Sequence, residues 1–189
     1  DSERNLENWK NILTDFNLRL QVFEGCDFVK KNMLTSPVIV NASAVLFKKD
    51  VVKKNIFQFA YKYKTAFDWL FWCDILMQGK VAYYPHKLNF FRQHQQNTSS
   101  KNNLKGLFVI EGLYIIFYLK KAYNIRLNLV QIKIWASVWA QTSLLTGNIK
   151  KLFLQVTSTA WNISPIILVY YTYYLLKFKF LSNPNIKLK

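Results

Sequence analysis

The sequence predicts a mixed α/β region over residues 1–100 followed by an α-helical tail over residues 101–189. In the first part, short β-branched and aromatic runs alternate with a helical pattern, whereas apolar residues of the second part recur at helical spacing. Charge divides the chain in the same way, because residues 1–100 carry 14 Lys+Arg and 9 Asp+Glu, and residues 101–189 carry 12 and 1. The boundary falls in the polar stretch 93–105, which is rich in turn and linker residues.

The composition excludes a disordered chain, because 51% of residues are hydrophobic and 17% are aromatic. The net charge is +16, which favours anionic partners. Cys26 and Cys73 are too few for a disulfide framework and match no metal-binding spacing, so we expect a reducing compartment. No signal-peptide pattern follows Asp1.

Three strands and two helices are predicted in the first part, the shorter helix being one that Asp50 can cap. Residues 38–47 form a compact apolar run after Pro37 that favours a buried strand. Residues 67–78 have helical periodicity and end before Gly79, which is a common residue at helix ends. Residues 80–84 predict a second strand, and residues 88–92 a third extended segment.

The tail is predicted to be entirely helical. Residues 107–119 form one apolar helix, and a stripe from Ile134 to Leu145 forms another that ends at Gly147. Residues 152–176 carry no charge and reach the length of a membrane span. However, their polar residues and the central Pro165 favour a helix pair, either on a membrane surface or as a buried cap.

Three segments of the first part carry a family resemblance. They read Asn41-Ala42-Ser43-Ala44-Val45-Leu46-Phe47; Phe67-Asp68-Trp69-Leu70-Phe71-Trp72, followed by Gly79-Lys80-Val81-Ala82-Tyr83; and Leu88-Asn89-Phe90-Phe91-Arg92-Gln93-His94. Their order and spacing resemble the C-terminal half of bacterial family 2 glycosyltransferases over about residues 1–100.

The resemblance implies a GT-A type fold and inverting transfer of a sugar from a nucleotide-sugar donor to a glycan or lipid-linked acceptor in surface polysaccharide biosynthesis. It also implies a divalent cation, Mg²⁺ or Mn²⁺, in the full-length enzyme. The family's nucleotide-binding half carries an Asp-x-Asp motif, and no Asp-x-Asp occurs in this sequence. We therefore expect this chain to be the C-terminal part of a longer enzyme, inactive without its donor-binding half.

Asp68 occupies the position of the family's catalytic base, at the head of the predicted helix. A helix N-terminus stabilises a negatively charged carboxylate, and general-base catalysis requires an ionised group. The alternative is an ordinary N-cap aspartate with no catalytic role.

The remaining candidates come from the same motifs. By resemblance, Arg92 and His94 lie near the diphosphate, and His94 is also the candidate metal ligand. Trp69 is a candidate wall for a sugar ring, and Asn41 and Ser43 are polar residues in an apolar strand that need a ligand or backbone partner. Asp74 lies off the apolar stripe of its helix and is predicted to be solvated.

Two other functions remain open. A non-enzymatic basic module would bind a membrane surface or nucleic acid, although no nucleic-acid motif occurs and nucleic acid is not the expected partner. The second of these alternatives is an integral membrane protein built on the tail. For the glycosyltransferase, the basic tail favours a peripheral position on the anionic inner face of the cytoplasmic membrane.

Overall fold

The structure is a computed structural model that describes residues 20–84 and 106–181. The described residues are mostly helical and include one two-stranded sheet. The strands are β1 (Gln21–Glu24) and β2 (Lys80–Tyr83). The α-helices are α1 (Gly25–Phe28, continued by a π-helical turn Val29–Met33), α2 (Phe67–Leu76), α3 (Leu107–Tyr123), α4 (Leu129–Leu145), α5 (Ile149–Ile163) and α6 (Ile166–Leu181).

Strands β1 and β2 pair antiparallel, with Gln21 opposite Tyr83 and Glu24 opposite Lys80. The predicted strand at residues 80–84 is thereby confirmed as β2, whereas β1 was not predicted. Directly after β1, the Gly25 amide donates to the Gly79 carbonyl oxygen at 2.8 Å. A Cβ atom at residue 25 would lie 1.8 Å from the carbonyl oxygen of Leu76, so this close approach requires glycine.

The strand predicted over residues 38–47 is wrong. This segment contains a 3-10 turn, Ala42–Ala44, and Leu46 is fully exposed. The Asn41 side chain accepts a hydrogen bond from the Ser43 amide at 3.0 Å, which closes the turn locally. A side chain that bonds its own backbone two residues on competes with strand pairing, and a periodicity argument does not detect that competition.

Helix α2 confirms the helix predicted over residues 67–78, with its last helical residue at Leu76. The helical spacing of residues 67–78 predicts a stripe of Asp68, Phe71, Trp72, Ile75 and Leu76. The observed buried face is rotated relative to that stripe, and its members are Trp69, Leu70, Trp72, Cys73 and Asp74. Two more 3-10 segments, Lys49–Val51 and Lys54–Lys62, precede α2.

The helices predicted in the tail are confirmed. Helix α4 begins with a reciprocal capping box between Asn128 and Gln131. The apolar stretch of residues 152–176 is divided at Pro165 into α5 and α6, as its proline predicts. Helix α6 packs against α4, where the rings of Tyr171 and Trp139 stack at 3.9 Å. Among the residues described, no helix has the length and apolar character needed to cross a membrane.

One hydrophobic core includes residues from both predicted parts of the chain. The indole N–H of Trp135 in α4 donates to the Leu34 carbonyl oxygen at 2.8 Å. The same indole lies over Gly112 of α3, where a Cβ atom would be 2.2 Å from the ring. Helix α2 joins this core through Trp69, whose ring stacks on Phe108 of α3 and Trp135 of α4.

Candidate functional site

Asp68 is the second residue of α2, and it is solvent-exposed. The N-cap of this helix is Ala66, which makes no side-chain capping bond. The Asp68 Oδ1 atom accepts a hydrogen bond from the Trp69 amide at 2.8 Å. Asp68 is thus a first-turn carboxylate facing solvent, and the N-cap alternative does not describe it.

The N-terminal end of α2 is bound instead by Glu111, which extends from α3 and is 2% exposed. Its Oε1 atom accepts from the Lys64 amide at 2.8 Å. Its Oε2 atom accepts from the Thr65 amide at 3.1 Å, the Thr65 hydroxyl at 2.9 Å and the Ala66 amide at 2.8 Å. Ala66 is the N-cap of α2, and Lys64 and Thr65 directly precede it, so Glu111 fixes the segment that leads into the helix on which Asp68 lies.

Glu111 was not among the sequence candidates. The sequence nevertheless sets Glu111 apart, since it is the one acidic residue among residues 101–189 and lies within an apolar helix. A buried carboxylate in such a helix needs several donors, which a local pattern does not identify.

Aromatic rings cluster around Phe67 and Phe71 of α2, the two phenylalanines between which Asp68 lies in the sequence. The ring of Phe71 lies 5.9 Å from that of Phe57 and 6.0 Å from that of Phe47, and Phe57 also contacts Phe67 at 6.1 Å. Phe47 therefore brings the chain segment that follows Ser43 against α2. Asp68 lies in sequence between two of these rings, Phe67 and Phe71, at a protein surface with an apolar border.

Asn41 and Ser43 have polar partners within their own turn, as described above, and Ser43 is exposed. The expected requirement for a ligand or backbone partner is met at Asn41 by the Ser43 amide. These residues therefore lie on a turn beside the apolar surface and not inside a strand.

Trp69 is a core residue in this structure. It is 1% exposed, and its indole stacks on Phe108 at 5.8 Å and on Trp135 at 6.2 Å. Its indole N–H donates to the Met33 carbonyl oxygen at 2.9 Å. Because both its ring and its polar atom are occupied by protein contacts, Trp69 holds α2 in place and presents no face to a sugar.

The prediction that Asp74 is solvated is wrong, since this residue is 1% exposed. Its Oδ1 atom accepts from the hydroxyls of Tyr118 at 2.7 Å and Tyr123 at 2.5 Å. Burial raises the pKa of both tyrosines, and hydrogen bonding to Asp74 raises it further. Lys53 and Gln78 donate to the Tyr123 hydroxyl at 3.1 and 2.9 Å, which completes a structural network between α2 and α3.

Arg92 and His94 lie outside the described residues, as do residues 88–92 and the predicted linker at residues 93–105. Within the described ranges, no group of three His, Cys, Asp or Glu side chains is placed to hold a metal ion. Cys73 is buried, and burial raises the pKa of its thiol, which makes it a poor nucleophile.

No family model matches the chain, and searches of curated proteins and of solved structures find no match either.

Proposed function

We propose that the chain is the acceptor-side part of an inverting glycosyltransferase with a GT-A type fold, in which Asp68 is the general base. The observation that carries this proposal is the position of Asp68, which is exposed at the start of a helix whose N-terminus another carboxylate already binds. An acid that is needed neither as a cap nor as a core partner is available for chemistry.

In the proposed reaction, Asp68 accepts the proton of the acceptor hydroxyl as the hydroxyl oxygen attacks the anomeric carbon of the donor sugar. The bond between that carbon and the nucleoside diphosphate breaks, and the diphosphate leaves with the electron pair. Attack from the opposite side inverts the anomeric configuration. The aromatic rings next to Asp68 form an apolar border for the acceptor.

The donor, and the Mg²⁺ or Mn²⁺ ion that would neutralise its diphosphate, are assigned to the half that carries the family's Asp-x-Asp motif. The described residues do not fit a metal site, so no step of the proposal passes through one. Arg92 and His94 stay candidates for the diphosphate side. We place the enzyme at the cytoplasmic leaflet, with a glycan or lipid-linked acceptor.

The test starts with the genomic DNA immediately upstream of the Asp1 codon, read in frame. If the frame continues into an Asp-x-Asp domain, the extended chain is expressed and assayed for transfer from radiolabelled nucleotide sugars. Asp68→Asn is expected to lower turnover by at least about 100-fold, as loss of a general base does. Circular dichroism and the unfolding midpoint verify that the variant is folded.

Asp50→Asn is the matched control, because Asp50 is an exposed aspartate on the neighbouring 3-10 turn Lys49–Val51. It is expected to retain activity. Equal activity of the Asp68 and Asp50 variants would refute the assignment of the base. A stop codon and start site directly before Asp1 would refute the fragment hypothesis and favour the non-enzymatic binding module.

A further inference from the structure

Residues 46–71 carry exposed apolar side chains, and the same segment contains six exposed lysines. Leu46 is 100% exposed, Phe57 53% and Phe47 41%. Their neighbours Phe67 and Phe71 are half-buried and contact them, so the apolar groups are continuous. A fully exposed leucine beside two largely exposed phenylalanines is a feature of interaction surfaces rather than of an ordinary solvated loop.

The charge around these rings is strongly positive. Residues 46–71 contain six lysines and two aspartates, Asp50 and Asp68. All six lysines are exposed. We call this surface the aromatic-lysine face; its members are Leu46, Phe47, Phe57, Phe67 and Phe71 with Lys48, Lys49, Lys54, Lys62 and Lys64. Lys53 is left out, because its ammonium group donates to the Tyr123 hydroxyl.

We propose that the aromatic-lysine face binds the surface of an anionic lipid bilayer. Apolar side chains enter the boundary between head groups and acyl chains, while lysines meet the lipid phosphates, which is the combination that holds peripheral proteins on membranes. Lysine stems extend along apolar surface and keep their ammonium groups in water at a membrane boundary. The Lys62 ammonium lies 5.5 Å from the centre of the Phe59 ring, so this lysine already lies against an aromatic side chain.

The geometry of the rings favours a bilayer over nucleic acid. Bases stack on free, flat aromatic faces, whereas the rings of this surface contact one another edge-on or tilted. Phe47 meets Phe71 edge-on at 81°, and Phe57 is tilted by 41° against Phe71. Leu46, the most exposed member, offers no face for a base.

This inference goes beyond the proposed sugar transfer, because vesicle binding is measured without any donor or acceptor. It differs from the expectation that the membrane contact lies in the basic tail. If both proposals hold, the bilayer contact places Asp68 at the lipid–water boundary, where a lipid-linked acceptor presents its hydroxyl.

The first test is co-sedimentation of the purified full chain with phosphatidylcholine vesicles, with and without phosphatidylglycerol, at physiological salt. Binding is expected only with phosphatidylglycerol. Each lysine at an anionic surface strengthens binding by about fivefold, so Lys48→Gln with Lys49→Gln should weaken it by about 30-fold.

The matched control is Lys150→Gln with Lys151→Gln, an adjacent pair of exposed lysines in α5 that carries the same charge change. This pair should leave binding within about twofold, since it lies outside the proposed surface. An equal or larger loss in the control pair would overturn the proposal and favour the tail. Tighter binding to a single-stranded oligonucleotide than to anionic vesicles would overturn it as well.

A second measurement reports on insertion itself. Cys26→Ser removes the half-exposed thiol, and Cys73 is fully buried, so an environment-sensitive fluorophore can be attached at Leu46→Cys. Its emission is expected to shift to the blue on phosphatidylglycerol vesicles. A label at Leu176→Cys, on an exposed part of α6, tests the tail in the same way. No shift at position 46 would overturn the proposal.

Discussion

Glu111→Gln is the substitution that most directly tests how α2 is positioned. The amide has one acceptor oxygen, whereas the carboxylate uses two. In Glu111 the Oε1 atom accepts from the Lys64 N–H at 2.8 Å. If the single oxygen of the glutamine takes the Oε2 position, the glutamine NH2 group replaces Oε1 and faces the Lys64 N–H. One charge-assisted hydrogen bond is lost, and the three bonds from Thr65 and Ala66 become neutral.

The magnitude follows from these contacts. Losing a hydrogen bond to a charged group costs about 1.5–3 kcal/mol, and the exposed Lys64 amide regains water, which favours the lower end. Weakening three further bonds to roughly half their strength adds about 0.5 kcal/mol each. The free energy of unfolding should therefore fall by about 3 kcal/mol.

Urea unfolding followed by tryptophan emission measures this loss. With a slope of about 2 kcal/mol per M, the midpoint should fall by about 1.5 M. Glu24→Gln is the matched control, because Glu24 is exposed and forms a surface ion pair with the exposed Lys80 at 3.4 Å. The control should change stability by less than about 0.5 kcal/mol. A Glu111→Gln variant as stable as this control would refute the reasoning.

Three more predictions concern the core. Gly112→Ala should cost about 1–3 kcal/mol in thermal unfolding, because its Cβ would lie 2.2 Å from the Trp135 ring; an unchanged melting temperature would contradict this. Trp139→Phe should cost less than Trp135→Phe by about 1–3 kcal/mol. The Trp135 indole N–H donates to the Leu34 carbonyl oxygen, whereas the buried Trp139 N–H has no partner among the described residues. Equal losses of unfolding free energy in the two variants would contradict this prediction. Burial raises the pKa of Tyr118, so the folded chain retains a proton that the unfolded chain releases. The free energy of unfolding should stay constant below about pH 10 and fall above it. In Tyr118→Phe the fall should be less steep than in the unsubstituted chain. The same slope in both chains would contradict the raised pKa of Tyr118.

Much of the helical architecture could be predicted because its signals are local. The spacing of apolar residues identified α3 and α4, and Pro165 identified the break between α5 and α6. Residues 38–47 were wrongly assigned as a buried strand, because the Asn41 side chain closes a turn there and none of these residues is buried. Strand β1 is four residues long and is stabilised by β2 from far along the chain, which local periodicity does not reveal.

Some features of the candidate site could likewise be predicted from the sequence, and others could not. That Asp68 stands at the start of a helix was predicted from motif order, and the structure places it in the first turn of α2. The burial of Asp74 was not predicted, because it depends on hydroxyls that Tyr118 and Tyr123 contribute from α3. Burial of Trp69 likewise arises from stacking on Phe108 and Trp135, distant in sequence.

Asp68 and Glu111 are two carboxylates near one helix N-terminus with different surroundings. Glu111 is buried and accepts four hydrogen bonds, so its contribution is to stability. Asp68 is exposed and accepts one described bond, from the amide of the next residue, so its loss should change stability by less than about 1 kcal/mol. This separation is what makes the activity test interpretable. If Asp68→Asn abolished transfer while leaving unfolding almost unchanged, the loss would be chemical, since the fold depends on Glu111.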